Sequence, residues 1–333
     1  MSRRPRSGKR CDYTMGMSAT PIYNYGGEIY SILALLAPDR VPAWDEFIRE
    51  WCTGMGNDRY FIKEPAAFGE YLRDEFLMLR RTRTDVGMEL PQVQRDVATI
   101  PYNADVLKDV ASSATELAKL VLEGTFLESG QAAREFDIKL RQATGVAKGP
   151  FVADFVRMLA ESGEKIVLFG WHREVYSIYL DRLGARTGMD LHPVLYTGSE
   201  SPAQKAEAIR RFRLKGNEPE RADILIMSLR SGVGVDGLQE VCHTCVFGEL
   251  DWSPGVHDQC IGRLNRDGLE GNVIAYFLIS DAGSDPTVAS VLGLKSAQAQ
   301  GITDPKKKAP DFAQSAGERV KQLAQDYLAR KTT

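Results

Sequence analysis

The chain has 333 residues, 43% of them hydrophobic, which is enough to bury a full core and excludes a small binding peptide. A formal net charge of −3 excludes a global attraction to nucleic acid, so contact with a polyanion has to come from local patches. No run of about 18 apolar residues is present to span a membrane, the basic start lacks the apolar core of a signal peptide, and five cysteines, an odd number, argue against a disulfide framework. The expectation is a protein of the cytoplasm with no membrane partner.

In chain order, residues 1–10 form a basic arm with Ser, Gly and Pro, a composition that predicts disorder. Cys11 to Pro21 reads as a strand and loop. From 26 to 148 apolar residues recur at helical spacing, as in Ile29, Ile32, Leu33 and Leu36, with one extended stretch at Val93 to Ile100. From 149 to 300, short apolar runs alternate with helical segments. The runs are Lys165–Gly170, His192–Tyr196, Asp223–Ser228, Thr244–Glu249 and Asn272–Ile279, the pattern of an α/β fold with a parallel sheet. The last section, 301–333, is a charged linker, T-D-P-K-K-K-A-P, and then a helix that Asp311 can cap. Its Phe312, Ala316, Val320, Leu323 and Tyr327 form one stripe, suited to docking on the chain's own core or, as the other use, to a partner.

Two segments carry chemistry. Gln259 to Gly268 reads Q-C-I-G-R-L-N-R-D-G, and a helix is predicted to start after the D-W-S-P turn at Asp251–Pro254. On such a helix Arg263 and Arg266 project from one face, where two guanidinium forks can reach a single triphosphate. An arginine of this kind neutralises charge on a γ-phosphoryl group in the transition state and is worth about a thousandfold in rate. A solvated helix face is the other reading of two spaced arginines; the companion segment argues against it. Ser228 to Gln239 reads S-L-R-S-G-V-G-V-D-G-L-Q and follows a buried strand that delivers it to a site. Gly232, Gly234 and Gly237 let the backbone approach a ligand, and Asp236 can accept from a ribose hydroxyl.

With these segments, residues from about 12 to 280 resemble the Swi/Snf-like branch of helicase superfamily two, in the divergent form seen in bacterial and phage proteins. M-S-A-T-P at Met17–Pro21 is similar to the motif that couples two motor lobes, and N-Y-G-G-E-I-Y-S-I-L at Asn24–Leu33 to the helix after it. L-R-R-T-R-T-D-V at Leu79–Val86 is similar to a signature of the family's helical insertion. K-I-V-L-F-G-W-H at Lys165–His172 and Y-T-G-S at Tyr196–Ser199 are similar to the strand and loop that open the nucleic-acid side.

The resemblance implies a RecA-like second motor lobe over 149–300, a helical insertion over 26–148, the end of a first lobe within 1–25, and a linker and amphipathic helix over 301–333. It implies that Arg263 and Arg266 act on the γ-phosphate of ATP, with Gln259, Gly234 and Asp236 completing the ATP-binding wall. Thr197, Gly198, Ser228 and Arg230 would touch the backbone of DNA, expected to be double-stranded, without reading its sequence. Ser18, Ala19 and Thr20 would relay lobe closure. Leu264 and Asn265, between the arginines, depart from the family's usual residues.

A motor of this kind needs G-x-x-x-x-G-K-[ST] and an acidic box to hold ATP and Mg2+, and the sequence contains neither. Gly8-Lys9 is followed by Arg10, and Asp45-Glu46 and Asp74-Glu75 sit beside aromatic residues at helical spacing, as surface acids do. The expectation is therefore a chain that begins inside the end of the first lobe. It would be an ATP-dependent DNA helicase or translocase lobe that hydrolyses ATP only with a P-loop lobe, for which a separate polypeptide is one source. The alternative is a non-catalytic module that binds nucleic acid or a partner; an inert gene fragment is a third reading.

Three further patterns remain open. Cys242-x-x-Cys245 and His257-x-x-Cys260 fit zinc spacing, yet one pair brackets a core strand and the other lies on the predicted helix, so buried free thiols and no metal are expected. Arg80, Arg81 and Arg83 form one basic cluster, and Arg210, Arg211 and Arg213 another. Each is either a phosphate-binding patch or a solvated face.

Overall fold

The computed structural model describes residues 14–18, 21–22, 26–54, 60–81, 87, 91–184, 191–216, 218–230, 235–293 and 316–332. The basic arm, the 303–310 linker with Asp311 and Phe312, and the expected site residues Ala19, Thr20 and Gly234 lie outside the described residues. The described residues fall into two compact units divided after Arg80, the second also including the C-terminal helix.

The first unit is helical, with one small hairpin. Helices α1 (Ile29–Leu36), α2 (Trp44–Trp51) and α3 (Pro65–Asp74) surround strands β1 (Cys52–Gly54) and β2 (Tyr60–Ile62), which pair antiparallel with Cys52 opposite Ile62. Trp44, Phe47, Ile48 and Trp51 recur at helical spacing on α2 and point one face inward. Phe47 and Phe68 are buried there, their ring centroids 5.7 Å apart in an edge-on contact. Asp45 and Glu46 are exposed in the first turn of α2, where the helix dipole favours acids. The strand expected over Cys11 to Pro21 is absent among the described residues: 14–18 is exposed and belongs to no strand.

The second unit is a six-stranded parallel sheet with helices on both faces. Its strands are β3 (Val93–Thr99), β4 (Ile166–Gly170), β5 (Val194–Tyr196), β6 (Ile224–Ser228), β7 (Thr244–Phe247) and β8 (Val273–Ile279), in the spatial order β3-β8-β7-β4-β6-β5. The five apolar runs expected as strands are all present. Val93–Thr99 is extended as expected, but it pairs with β8, Val93 opposite Val273, and so belongs to this sheet rather than to a helical region. Side chains alternate between two cores. Val167, Phe169, Leu225, Met227, Cys245 and Phe247 enter one, and Ile166, Leu168, Ile224, Ile226 and Val246 the other, which is why these strands read as continuous apolar runs.

Helices α4 (Ala104–Glu123) and α5 (Phe126–Glu161) precede β4, and α6 (Arg173–Leu183), α7 (Pro202–Arg213) and α8 (Pro254–Ile261) connect the strands. A helix whose described part is 285–293, α9, follows β8, and α10 (Ala316–Thr332) ends the described chain. A capping box between Thr125 and Glu128 starts α5, which runs through both cores, Phe136 and Leu140 in one and Val152 and Val156 in the other. Its buried Lys148 donates to Asp285 at 2.6 Å and to the Leu278 carbonyl at 2.7 Å, tying the end of β8 to the helix. The apolar stripe of α10 docks on its own unit: Leu323 and Ala324 are buried, and Tyr327 meets Phe136 at 5.8 Å and donates to the Ala111 carbonyl.

Candidate nucleotide and nucleic-acid site

Strands β5 and β6 lie side by side, Tyr196 opposite Met227, so the residues that follow them emerge together at the carboxyl edge of the sheet. Open parallel sheets place ligands there. Thr197 is buried; its amide donates to the Glu200 carboxylate, and its hydroxyl accepts from the Ser199 amide at 3.3 Å. Gly198 has open space where a Cβ would stand. Ser228 ends β6, and its hydroxyl accepts from the Arg230 amide at 3.5 Å. Arg230 reaches Asp251 at 2.8 Å and lies 5.3 Å from the centre of the Trp171 ring, with over half of its side chain still exposed. The structure thus brings Thr197, Gly198, Ser228 and Arg230 to one edge.

Behind this edge stand acids that the sequence did not single out. Glu249, which follows β7, is 4% exposed; its Oε2 accepts from the Trp171 amide at 2.6 Å and the His172 amide at 3.0 Å, and its Oε1 meets His172 Nδ1 at 2.5 Å. It thereby satisfies amides at the start of α6 and fixes the exit from β4. A Cβ at Gly145 would stand 2.6 Å from Glu249 Oε1, so the close approach of α5 to this carboxylate requires glycine there. Asp251 accepts from the Ser253 amide at 2.8 Å, and its own amide donates to His257 Nε2 at 3.3 Å. His257 Nδ1 therefore carries the proton and donates to the Ser253 carbonyl at 3.0 Å. Burial holds His257 neutral, its pKa lowered to about 4. Trp252 donates to Asp137 at 2.8 Å and Arg141 to the Leu250 carbonyl at 2.7 Å, so the D-W-S-P turn is anchored to α5 as well.

The arginines do not lie on the helix expected for them. Helix α8 stops at Ile261, Gly262 is its C-cap, and Gln259 is on its last turn. Arg263 and Arg266 occupy the tight turns beyond, closed by Arg263 and Leu264 amides donating to the Cys260 and Ile261 carbonyls. Two causes act together: Gly262 is a weak helix former, and the wholly buried Leu264 draws the chain into the core.

Arg266 Nε donates to the Gly262 carbonyl at 2.9 Å, meeting a helix-end acceptor, while Nη1 donates to the Val235 carbonyl at 3.0 Å and to Asp236 Oδ1 at 2.8 Å. Nη2 has no hydrogen-bond partner among the described residues. Arg263 is half-buried and has no ion-pair partner among the described residues; desolvation, then the neighbouring Arg266 charge, hold its guanidinium below the ordinary value. Asp236, exposed, is held below the usual carboxylate range by the Arg266 hydrogen bond first and the Gly237 amide next. The two motif segments thus meet in one surface, where Arg266 is tied to Asp236 and its charge acts on Arg263. Ser18, in the first unit, is exposed.

The basic cluster on α7 is engaged with its own acids. Arg210 pairs with Glu207 at 2.7 Å and Glu220 at 2.5 Å, and Arg213 with Glu240 at 2.7 Å, as on a solvated face. Arg80 and Arg81 are described; Arg83 lies outside. Cys52, Cys242, Cys245 and Cys260 are buried free thiols. Cys242 shares its proton between the Lys165 and Thr244 carbonyls and Cys260 donates to the Leu229 carbonyl. Among the described residues no group of His, Cys, Asp and Glu stands in a metal-holding arrangement, and no helix is long and apolar enough to cross a membrane.

No family model matches the chain. It is 26% identical over 288 residues to the SWI/SNF-related matrix-associated actin-dependent regulator of chromatin subfamily A-like protein 1 of Xenopus tropicalis, covering 84% of this chain and 29% of that protein. It is 22% identical over 298 residues to the DNA annealing helicase and endonuclease ZRANB3 of Bos taurus, covering 86% of this chain and 26% of that protein. The chain thus spans under a third of the length of these relatives. Among solved structures, the C-terminal part of the Fun30 ATPase domain superposes with a TM-score of 0.51 at 12% identity, covering 73% of this chain and 99% of that one. The Sulfolobus solfataricus SWI2/SNF2 ATPase core in complex with double-stranded DNA superposes with a TM-score of 0.52 at 17% identity, covering 83% and 60%. The relatives and structural neighbours of this chain are SWI2/SNF2 ATPase cores, and the fold it shares with them is that of the C-terminal RecA-like lobe.

Proposed function

We propose that the chain is the C-terminal motor lobe of an ATP-dependent DNA helicase or translocase of the bacterial or phage type, acting in the cytoplasm. The observation that carries this reading is the junction of Arg266 with Asp236 at 2.8 Å, beside an Arg263 that has no ion-pair partner among the described residues. Arg266, held by Nε and Nη1, presents Nη2 in a fixed direction, and Arg263 supplies a second cation. Both suit the growing charge on a transferring phosphoryl group, and fixed donors need no reorganisation at the moment of reaction. Gln259 supports the same turn from α8, Gly234 and Asp236 meet the nucleoside, and Asp236 also positions Arg266. Thr197, Gly198, Ser228 and Arg230 bind the phosphate backbone of a DNA duplex, and Ser18, Ala19 and Thr20 couple lobe closure to it. Bound ATP and Mg2+ supply the γ-phosphoryl group and its charge-neutralising cation; a P-loop lobe, whichever polypeptide carries it, holds them.

The test is reconstitution. The chain alone is expected to hydrolyse no ATP, and addition of a P-loop lobe from a Swi/Snf-like relative is expected to create DNA-stimulated hydrolysis. Hydrolysis by the purified chain alone overturns the half-site reading. The second reading, a non-catalytic DNA- or partner-binding module, draws support from Thr197, Gly198, Ser228 and Arg230 standing at one edge of the sheet; it predicts DNA binding and no hydrolysis in either mixture.

A further inference from the structure

Strand β4 lies beside β6 with Gly170 opposite Ser228, and the Leu229 amide donates to the Gly170 carbonyl at 2.9 Å. Trp171 therefore leaves the sheet next to Arg230, as Thr197 does on the far side of β6. Across three neighbouring strand ends, Trp171, Arg230 and Thr197 make a row about 10 Å wide at the carboxyl edge. The DNA contacts proposed for this edge do not involve Trp171.

The indole stands where a ring of its size gains little. It is 38% exposed, although burial is what such a side chain mainly contributes. Its backbone is fixed, because the Trp171 amide donates to the buried Glu249 carboxylate at 2.6 Å. The indole N–H has no hydrogen-bond partner among the described residues, so no polar contact of its own holds the ring at the surface. What its face meets is the Arg230 guanidinium, 5.3 Å from the ring centre, within the range of a cation–π contact.

Arg230 is held from a second direction. Nε at 3.2 Å and Nη2 at 2.8 Å both donate to Asp251 Oδ2. Asp251 is 4% exposed and its other oxygen accepts from the Ser253 amide, so withdrawal of Arg230 would leave a buried carboxylate without its counter-ion. A guanidinium has five N–H donors; two are used here, and three remain on a side chain that is 58% exposed. Nη1 and the free N–H of Nη2 form the end of the fork, which can grip a phosphate two bonds at a time. Both bonds to Asp251 converge on one oxygen, however, and a single oxygen is a pivot about which the guanidinium plane can swing. The ring face stops that swing.

We propose that Trp171 is a positioning residue for DNA: with Asp251 as pivot, its ring fixes the plane of Arg230 so that the free end of the fork meets a backbone phosphate. This role rests on the reading of the carboxyl edge as a DNA surface. Arg230 keeps its buried counter-ion while it binds, and Trp171 acts through Arg230 rather than on the DNA itself.

Fluorescence anisotropy of a labelled DNA duplex titrated with the full chain, at several salt concentrations, tests it. Arg230→Gln is expected to weaken binding about tenfold and to lower the salt slope by about one. Trp171→Leu keeps apolar bulk without an aromatic face and is expected to weaken binding about three- to tenfold, with Trp171→Phe restoring most of the loss. In an Arg230→Gln background, Trp171→Leu is expected to change nothing further. Far-UV circular dichroism checks each fold; should Trp171→Leu not fold, Trp171→Met replaces it. An equal loss for Trp171→Leu in both backgrounds overturns the positioning role, as does a Trp171→Leu chain that binds like wild type or a Trp171→Phe chain as weak as Trp171→Leu. A wild-type chain that does not bind the duplex, or binds it no better than Arg230→Gln, removes the DNA reading of the edge and this role with it.

Discussion

Arg266 Nη1 and Asp236 Oδ1 stand 2.8 Å apart although the residues are 30 positions apart in the chain, and this pair turns two separate motif segments into one surface. The same arginine takes up the carbonyls of Gly262 and Val235, so the carboxylate also fixes how the turn beyond α8 is presented. Asp236→Ala is expected to loosen Arg266 without unfolding an exposed site. In the reconstituted motor it lowers turnover less than loss of Arg266 itself; an effect larger than that of Arg266→Ala contradicts a positioning role.

His257 makes stability depend on pH. Its folded pKa of about 4 lies below the unfolded value near 6.5, so between these limits the unfolded chain takes up a proton that the native chain refuses. The sign is a loss of stability as pH falls from about 6.5 to about 4, levelling near 3 kcal/mol for this group. Above about pH 6.5 it contributes no slope. His257→Gln, which keeps one acceptor and one donor, is expected to flatten that window in urea unfolding. An unchanged slope in the variant contradicts the assignment.

Glu249 is predicted to be the most sensitive acid of the carboxyl edge. Glu249→Ala leaves the Trp171 and His172 amides without their acceptor and is expected to cost about 2–4 kcal/mol, with Glu249→Gln milder because a carbonyl acceptor remains. Equilibrium unfolding measures both; a loss below about 1 kcal/mol for the alanine variant is incompatible with the buried network.

The thiols offer a separate check. Burial pushes Cys52 up to about 11 and Cys242 up to about 12, and raises Cys245 and Cys260 well above the usual thiol range. These four are expected to react with an aromatic disulfide reagent at pH 8 only as fast as the chain unfolds, and a chelator is expected to leave the fold intact. Stoichiometric zinc that is lost on replacing Cys242 and Cys245 would restore the metal reading.

Strands β4, β6 and β7 of the large sheet are legible because every residue in them is buried and their runs are largely apolar, and β5 and β8 are legible as apolar runs although several of their residues are only half-buried. Strand β3 reads from the sequence as an extended stretch within a helical region, yet it pairs with β8. Its Arg95, Val97 and Thr99, which share one face, are exposed, and its partner lies 180 residues further on, which no local pattern reports. The arginine spacing was legible, but the end of α8 was not, since Gly262 is a weak signal and the decisive force, burial of Leu264, is tertiary. Glu249 and Asp251 read as ordinary acids after a strand; only the folded chain shows which amides they receive.

The most direct measurement is steady-state hydrolysis by the chain reconstituted with a P-loop lobe on DNA, comparing wild type with Arg263→Ala and Arg266→Ala. The expected result is a fall in turnover on the order of a thousandfold for Arg266→Ala, and a large fall for Arg263→Ala, with ATP affinity changed far less, as for contacts made mainly in the transition state. An active reconstituted pair whose turnover is indifferent to both substitutions would contradict the assignment of this turn to the γ-phosphate.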